Sequence, residues 1–247
     1  MYSVGINGFG RIGKCVFMLL LENRSITVSV INAPDFDVHK IKSYLLHDSI
    51  HKYHLPMDIE VLDDYNFKIN GNVVTVVKTR NAKEIRWKED FNVDTVIDAT
   101  GAYLTKEKAL QHNVSKVIMT APAKDDTPLY VYGVNNEKYQ GENVISNASC
   151  TTNCITPVLK FLEDKYKIVN SNFTTIHAST SSQQVVDTAN SKNRTCRSIF
   201  NNIIPHTTGA SSSIYKVIPS MQGKITGTSV RVPVNNVSLV DLNVELE

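Results

Sequence analysis

The segment Tyr2-Ser3-Val4-Gly5-Ile6-Asn7-Gly8-Phe9-Gly10-Arg11-Ile12-Gly13 decides how this chain folds. Its first half is an apolar run of strand length, and its second half carries three glycines in a G-x-G-x-x-G spacing. Residues 14–23 then predict a helix, and the β-branched run 27–32 predicts a second strand. Strand, glycine turn, helix and strand make one βαβ unit, which requires a parallel sheet.

The three glycines of this turn predict a dinucleotide site. Gly8 permits the tight turn, Gly10 lets the backbone approach a pyrophosphate, and Gly13 lets the helix pack on the strand. The phosphates would lie on the amides at the N-terminus of the helix. A purely structural glycine turn is the alternative, but the strand before it and the helix after it favour nucleotide binding.

An acidic residue is expected about 20 positions further on, where it would hold the adenine ribose. The chain has Asn32-Ala33-Pro34 there, and the nearest acids are Asp35 and Asp37. Without the acid, the group that would repel a 2′-phosphate is missing. The expected cofactor is therefore NAD, with NADP also possible.

Later segments extend the same pattern up to residue 148. Further strands are predicted at 95–99, 116–120, 129–134 and 144–145, and a helix at 105–112. Asn70-Gly71 lies between two strand-like runs and predicts a hairpin. Residues 1–148 are therefore expected to form a dinucleotide-binding domain, an α/β Rossmann-type doubly wound parallel sheet.

The pattern changes in residues 149–247. Residues 151–165 predict a helix whose second turn Pro157 should disturb. Val240, Leu242, Val244 and Leu246 alternate with polar residues, which predicts a strand with one face in water. We expect a mainly antiparallel α+β catalytic domain here, incomplete at its C-terminal end, whose last strand leaves a sheet edge either covered or exposed.

Composition excludes several classes of protein. Of 247 residues, 42% are hydrophobic and 20% are charged, as in a globular protein rather than a disordered one. The 26 basic and 24 acidic residues leave a net charge of +2 without a basic block, which argues against dedicated nucleic-acid binding. The longest apolar run, residues 15–21, is too short to span a membrane, and no leader is expected. Four scattered cysteines indicate reduced thiols in the cytoplasm, and no metal site is predicted.

Cys150 is the candidate nucleophile, because Ser149-Cys150-Thr151-Thr152-Asn153-Cys154 lies where a predicted strand gives way to a helix. A thiol at a helix N-terminus has its thiolate stabilised by the amide dipoles. A small buried apolar residue is the equally weighted alternative. His177, which ends a strand-like run, is a candidate base, although spacing alone does not select it.

The other cysteines and histidines are assigned to structure. Cys154 and Cys15 are expected to pack in the interior, and Cys196 receives no role. Surface or packing positions are expected for His39, His47, His51, His54, His112 and His206.

Two long motifs resemble phosphorylating glyceraldehyde-3-phosphate dehydrogenases. Residues 5–13 resemble the opening of that family, and residues 146–154 resemble its active-site signature. Shorter matches follow the same order along the whole chain: His47-Asp48-Ser49 with His51 and His54, Gly133-Val134-Asn135, Asn202-Ile203-Ile204-Pro205 and Arg231-Val232-Pro233.

The resemblance implies a role for each matching residue. Cys150 would be the nucleophile, and His177 its base and ion-pair partner. The substrate phosphate would be held by Thr180 and Arg231, and the attacking inorganic phosphate by Ser149, Thr151, Thr208 and Gly209. Beside Gly8, Gly10 and Gly13, the cofactor would contact Arg11, Ile12, Ala33, Arg80, Thr100 and Thr120. A homotetramer acting on glyceraldehyde 3-phosphate is implied, without a membrane or nucleic-acid partner.

Four departures from the family pattern bear on these roles. Ala33 replaces an aspartate, and Ser212 stands where many members have lysine. The loop from Ser181 to Arg197 is one residue short, and its Thr188-Ala189 replaces a pair that disfavours NADP. The chain also resembles a C-terminally truncated member, which would lack an asparagine that orients the nicotinamide.

Two alternative functions stay open at this point. One is an erythrose-4-phosphate-type dehydrogenase that shares Cys150 and His177 but releases the free acid. The other is an inactive or moonlighting truncated nucleotide-binding protein. Intact Cys150, His177 and Arg231 argue against the latter.

Overall fold

The computed structural model describes residues 2–51, 53, 57–189 and 194–247. They divide into two compact units. The nucleotide unit comprises the chain up to Leu129 together with Tyr139–Ala148, and the catalytic unit comprises Tyr130–Lys138 together with Ser149–Glu247.

The nucleotide unit alternates strands and helices as the sequence predicts. Its elements are β1 (Tyr2–Asn7), α1 (Arg11–Leu21), β2 (Ile26–Asn32), α2 (Val38–Leu46), β3 (Ile59–Val61), β4 (Asn66–Ile69), β5 (Asn72–Val77), α3 (Trp87–Phe91), β6 (Thr95–Asp98), α4 (Lys106–Ala109), β7 (Lys116–Met119) and β8 (Val144–Ser146). Short 3₁₀ turns occupy Ala82–Glu84 and Leu110–His112.

One eight-stranded sheet organises this unit, in the order β3-β4-β5-β2-β1-β6-β7-β8. The six strands from β5 to β8 pair in parallel, while β3 and β4 extend the sheet as an antiparallel hairpin. This strand order is that of dinucleotide-binding folds, in which ligands bind at the carboxyl edge of the parallel strands. The expected Rossmann-type sheet and the Asn-Gly hairpin are confirmed.

Packing explains why the first βαβ unit is so compact. Phe17 and Met18 of α1 are buried in the main core cluster with Phe9 and Ile6. A Cβ added at Gly5 would lie 2.6 Å from the ring of Trp87, so the glycine makes room for that buried indole. The apolar periodicity of α1 therefore faces the sheet, as the sequence predicts.

The prediction of a strand over residues 129–134 is wrong. Only Leu129 makes a bridge, to Ser146, and the following residues form turns. Gly133 has φ +76°, and the side chain of Asn135 accepts a hydrogen bond from the backbone of Val131 at 2.8 Å. This local hydrogen bond competes with strand pairing, so an apolar run of strand length becomes a turn.

Among its described residues, the catalytic unit has two helices, four strands and two 3₁₀ turns. They are α5 (Cys150–Tyr166), β9 (Ile168–His177), β10 (Ile204–His206), α6 (Ala210–Val217), β11 (Ile225–Arg231) and β12 (Leu239–Leu246), with turns at Asn136–Lys138 and Pro219–Met221. Helix α5 continues through Pro157 without a break, contrary to expectation. Pro157 is exposed, so water can serve the carbonyl that the missing N–H would have bonded.

The sheet of this unit is mixed. Its order is β10-β11-β9-β12, with β9 and β11 parallel and the two outer pairs antiparallel. The ring of buried Phe173 lies across Gly227 of the neighbouring strand, where any Cβ would overlap it. Strand β12 lies at the sheet edge, and up to Glu245 it alternates exposed with half-buried residues, as predicted. Leu246 departs from the predicted pattern: it is exposed, because the register against β9 shifts between Glu245 and Leu246.

Candidate active site

Cys150 is the first residue of α5, a helix of 17 residues. The preceding Ala148 is buried and has φ +61°, a left-handed backbone conformation that residues other than glycine rarely adopt. Ser149 caps the helix, because its hydroxyl accepts the N–H of Thr152 at 3.1 Å. The thiol therefore lies at the positive end of a long, capped helix, as the sequence predicts.

His177 and Arg231 are brought together by strand register. They are the last residues of the parallel strands β9 and β11, and they are direct register partners. Parallel neighbours end at the same edge of a sheet, so their side chains meet although 54 positions separate them in sequence.

These three side chains form a continuous chain of polar contacts, which we call the catalytic triangle. The Cys150 Sγ lies 3.3 Å from the Nε2 of His177, and an Nη1 of Arg231 lies 2.7 Å from the Nδ1 of His177. The carbonyl of Ala178 accepts from Arg231 at 3.1 Å and lies 2.8 Å from the Nδ1 of His177.

The Nδ1 of His177 lies between two groups of opposite character. The guanidinium of Arg231 only donates, whereas the carbonyl of Ala178 only accepts. A ring with its proton on Nδ1 donates to Ala178 and leaves Nε2, 3.3 Å from the Cys150 Sγ, able to exchange a proton with the thiol. A base that acts at Nε2 requires this tautomer.

The triangle shifts both titrating groups in the direction that nucleophilic chemistry needs. The hydrogen bond from His177 lowers the pKa of Cys150, although desolvation opposes it. The same hydrogen bond raises the pKa of His177, against desolvation and the charge of Arg231. Opposite shifts favour a thiolate–imidazolium pair. Burial lowers the pKa of Arg231, whose buried Nε has no hydrogen-bond partner within the described part of the chain.

The remaining phosphate candidates lie in the same unit and bond to their own neighbours. Thr151 is buried in the first turn of α5. The backbone N–H of Thr180 donates to the side chain of Gln183 at 2.7 Å. Thr208 accepts the N–H of Ala210 at 3.1 Å, and Gly209 is the N-cap of α6. The N–H and the hydroxyl of Thr180 both donate to Gln183, whereas Thr208 and Gly209 lie directly before α6.

The other cysteines only partly follow expectation. Cys154 is exposed, which corrects its predicted packing position, because one helical turn past Cys150 brings it to a solvent-facing side of α5. Cys15 is half-buried and its Sγ lies 3.6 Å from the hydroxyl of Tyr53. Cys196 is half-buried. His54 and part of the predicted short loop, residues 190–193, lie outside the described residues.

The glycine turn of the nucleotide unit fits a dinucleotide pyrophosphate. Gly8 has φ +94°, and a Cβ at Gly13 would overlap the carbonyl of Gly8. A Cβ at Gly10 would meet no described atom within 4 Å, so the backbone is open there, at the start of α1. Arg11 and Ile12 are exposed beside it. Tight turn, close packing and open approach are the three requirements of the fingerprint.

A buried polar network supports the carboxyl edge of the same sheet. Asn7 donates to Asp98 at 2.7 Å, Asn32 donates to Asn7 at 2.7 Å, and Asp98 also lies 3.1 Å from the Nε2 of His112. Thr100 donates to Asp98 at 2.8 Å. The sequence analysis did not predict this network. Its signal in the sequence is that Asn7, Asn32 and Asp98 each end an apolar strand.

Ala33 follows β2 at the carboxyl edge of the sheet, where the adenine ribose is expected. It is 1% exposed, and its side chain has no polar group. Thr120 lies at the end of β7 and donates to the carbonyl of Asp98 at 3.1 Å. Arg80 follows β5 and forms a 2.6 Å ion pair with Asp35, a partner that sequence reasoning missed. The predicted adenosine-side residues therefore follow neighbouring strands.

Comparison with known proteins supplies the decisive observation. Family models match two parts of the chain: the glyceraldehyde 3-phosphate dehydrogenase NAD binding domain over residues 2–106, and the glyceraldehyde 3-phosphate dehydrogenase C-terminal domain over residues 149–247. The chain belongs to the glyceraldehyde-3-phosphate dehydrogenase family.

Similar proteins extend this match over the whole chain. A Bacteroides fragilis glyceraldehyde-3-phosphate dehydrogenase is 42% identical over 253 residues, covering 100% of this chain and 75% of that protein. A Buchnera aphidicola one is 44% identical over 247 residues, covering 98% and 73%. Glyceraldehyde-3-phosphate dehydrogenase A of Escherichia coli K12 is 42% identical over 249 residues, covering 99% and 74%.

Membership in the glyceraldehyde-3-phosphate dehydrogenase family confirms several predictions. The resemblance, the two-part fold class and the oxidoreductase class of a phosphorylating aldehyde dehydrogenase are all confirmed. The matched NAD binding domain confirms that the cofactor is a nicotinamide dinucleotide. Among the described residues, no helix is long and apolar enough to cross a bilayer.

Proposed function

We propose that this chain oxidises D-glyceraldehyde 3-phosphate to 1,3-bisphosphoglycerate, with Cys150 as the nucleophile and His177 as its base. The catalytic triangle carries the proposal, because a helix-start thiol lies 3.3 Å from the Nε2 of a histidine whose Nδ1 contacts both the carbonyl of Ala178 and Arg231. Nucleophile, base and orienting group within hydrogen-bond reach are the signature of an activated thiol.

His177 transfers the proton of the oxidation step. The Cys150 thiolate attacks the aldehyde carbon, and the imidazolium of His177 gives its Nε2 proton to the alkoxide that forms. The neutral ring takes that hydroxyl proton back as a hydride leaves the carbon and the thiohemiacetal becomes a thioester. NAD, when bound, supplies the hydride acceptor. Inorganic phosphate then attacks the thioester carbonyl, the acyl phosphate leaves, and the thiolate of Cys150 is restored.

The anion donors favour a phosphorylating enzyme. We assign the substrate phosphate to Arg231 and Thr180. We assign the attacking phosphate to a second set of donors: Ser149, Thr151, Thr208 and Gly209. An erythrose-4-phosphate-type dehydrogenase that releases the free acid has no use for a second phosphate site, so this set supports the glyceraldehyde 3-phosphate reaction.

The cofactor, domains and assembly complete the proposal. We assign NAD binding to Gly8, Gly10, Gly13, Arg11 and Ile12, and to a second group on the adenosine side: Ala33, Arg80, Thr100 and Thr120. NADP is tolerated, because Ala33 carries no charge that would repel a 2′-phosphate. Apart from Tyr130–Lys138, which group with the catalytic unit, residues 1–148 act as the dinucleotide-binding domain, and 149–247 act as the catalytic domain, of a cytoplasmic homotetramer.

The test is an oxidation assay on the 247-residue chain with glyceraldehyde 3-phosphate, NAD and phosphate or arsenate. We expect turnover that requires the anion and disappears in Cys150→Ser, because a serine hydroxyl has far too high a pKa to form the nucleophile. NAD binding by calorimetry should be unchanged in that variant. Anion-independent turnover would favour the erythrose-4-phosphate type, and NAD binding without any turnover would favour the inactive nucleotide-binding protein.

A further inference from the structure

The Arg80–Asp35 ion pair lies at the place where a dinucleotide-binding fold distinguishes NAD from NADP. Asp35 follows β2 by three residues, and Arg80 follows β5 by three residues. These strands are parallel neighbours, with Asn32 and Val77 in register, so both segments leave the carboxyl edge of the sheet side by side. That edge is where the second strand of the fold meets the adenine ribose.

Hydrogen bonds to β2 fix the loop that carries Arg80. The backbone N–H of Ala33 donates to the carbonyl of Val77 at 2.8 Å. The side chain of Asn32 donates to the carbonyl of Thr79 at 2.8 Å and accepts its N–H at 3.1 Å. Asn32 is buried and also holds Asn7, so the backbone just before Arg80 has a defined position.

The ion pair itself is accessible to a ligand. The side chains of Arg80 and Asp35 are 77% and 70% exposed, and their atoms lie 2.6 Å apart. Ion pairs between exposed side chains are weak, so an incoming anion of higher charge can exchange with the carboxylate. A guanidinium binds a phosphate dianion at least as well as a carboxylate, because both offer two oxygens to its fork of donors.

We propose that Asp35, through its ion pair with Arg80, sets the preference of this chain between NAD and NADP. The inference rests on the proposed cofactor site and deepens it. Ala33 provides neither a hydrogen bond to a ribose hydroxyl nor repulsion of a phosphate. Asp35 instead pairs with Arg80, the cation on the adenosine side of the proposed site that would otherwise be available to a 2′-phosphate. NADP must displace Asp35 from Arg80, whereas NAD leaves the pair intact.

The predicted effects differ in sign between the two partners. Asp35→Asn frees Arg80 and should lower the Kd for NADP about fivefold, with the Kd for NAD changed less than twofold, as expected for an exposed ion pair. Arg80→Met removes the phosphate partner and should raise the Kd for NADP about tenfold, as expected for a charge-assisted hydrogen bond. In the Arg80→Met background, Asp35→Asn should have almost no effect on NADP.

The experiment measures Kd for NAD, NADP, adenosine 5′-monophosphate and adenosine 2′,5′-bisphosphate by calorimetry at fixed salt concentration. Asp58→Asn is the matched control, because this exposed aspartate lies beside Asn70 at the opposite end of the β4–β5 hairpin. It removes the same charge and should leave the NADP-to-NAD ratio unchanged. Asp35→Ala removes the same charge without introducing the amide group of asparagine. Thermal melting verifies that each variant folds.

The outcomes separate this inference from the proposed cofactor site. Binding of NAD and NADP with a ratio that no variant changes overturns the role of Asp35 and leaves the cofactor site intact. An Asp35→Asn effect that persists in Arg80→Met also overturns it, because the pair would then not be the cause. Failure of the unaltered chain to bind either dinucleotide overturns both.

Discussion

The catalytic unit and the nucleotide unit differ in how they position the charged residues that we propose for function. In the catalytic unit, half-buried His177 and Arg231 end two paired strands, and Cys150 begins a helix. In the nucleotide unit, Arg80 and Asp35 lie on loops and are largely exposed. Side chains fixed by register give a reaction its geometry, whereas exposed charges on loops can exchange partners when a ligand binds.

The nucleotide unit also contains the opposite extreme, a buried ion pair that serves the fold. Lys14 of α1 is 1% exposed and lies 2.8 Å from Asp48. Its Nζ also donates to the backbone carbonyl of Tyr44 and lies 4.2 Å from the centre of the Tyr44 ring. A charge enclosed in this way has no freedom to meet a ligand. Burial thus separates the pair that stabilises the fold from the pair that we propose for specificity.

The largest expected effect breaks the catalytic triangle. His177→Asn should lower kcat by a factor of about 10² to 10⁴, the usual contribution of a general base. It should also raise the pKa of Cys150, since the hydrogen bond from His177 is the main cause that lowers it. Iodoacetamide labelling of Cys150 should therefore slow at neutral pH and recover toward the range of an ordinary thiol, about pH 8.5.

The control for this variant is a second histidine of the same unit. His206 has an equivalent contact, with its Nδ1 2.7 Å from the carbonyl of the next residue, Thr207, but it has no place in the triangle. His206→Asn should leave the labelling profile unchanged. Labelling of exposed Cys154 serves as an internal reference. If Cys150 reacted alike in the native protein and in His177→Asn at every pH, the ion-pair interpretation would be wrong.

The two halves of the triangle differ in how well the sequence predicts them. The helix-start position of Cys150 is local information, because strand, cap and helix lie within a few residues of one another. The contact of His177 with Arg231 depends on the register of β9 against β11, which residues far apart in sequence determine. Position therefore made Cys150 a candidate nucleophile, with a buried apolar residue as the equally weighted alternative, and left its base to the family resemblance.

The nucleotide unit shows the same division. The glycine turn and the parallel sheet follow from local periodicity and the rules for βαβ units. The Arg80–Asp35 pair and the Asn7–Asn32–Asp98 network do not, because each joins loops or strand ends that only the sheet order brings together. The turn at residues 131–135 was missed for another reason, since one asparagine side chain outweighed the β-propensity of its neighbours.

The next effect concerns stability. Asp48→Asn should lower the free energy of unfolding by about 3–5 kcal/mol, because it leaves the charge of Lys14 buried without its partner. Asp164→Asn is the control: it breaks the exposed Lys160–Asp164 pair and should cost no more than about 1 kcal/mol. Urea unfolding measures both values. Equal losses in the two variants would contradict the distinction between buried and exposed pairs.

The pH dependence of unfolding sharpens the same prediction. Burial alone would raise the pKa of Asp48, but hydrogen bonds from Lys14, His51 and Ile50 lower it well below its usual value. A depressed folded-state pKa contributes stability above the unfolded value of about 3.9, and that stability is lost as pH falls through the folded value. The native protein should therefore lose stability from about pH 5 downward more steeply than Asp48→Asn does.

The smallest expected effect restores an acid at the end of β2. Ala33→Asp should shift the ratio of kcat/KM values toward NAD, because a carboxylate there accepts hydrogen bonds from the ribose hydroxyls and repels a 2′-phosphate. Ala33 is 1% exposed, so any larger side chain must find room, and Ala33→Asn controls for size without charge. We expect Ala33→Asn to change kcat/KM for NAD and for NADP by the same factor. We expect Ala33→Asp to lower kcat/KM for NADP selectively. In Asp35→Asn, the added aspartate should have a larger effect, because Arg80 is then free to bind the phosphate that the new carboxylate excludes. An unchanged cofactor ratio in Ala33→Asp would show that position 33 has no part in selectivity, leaving Asp35 and Arg80 as the proposed determinants on this edge of the sheet.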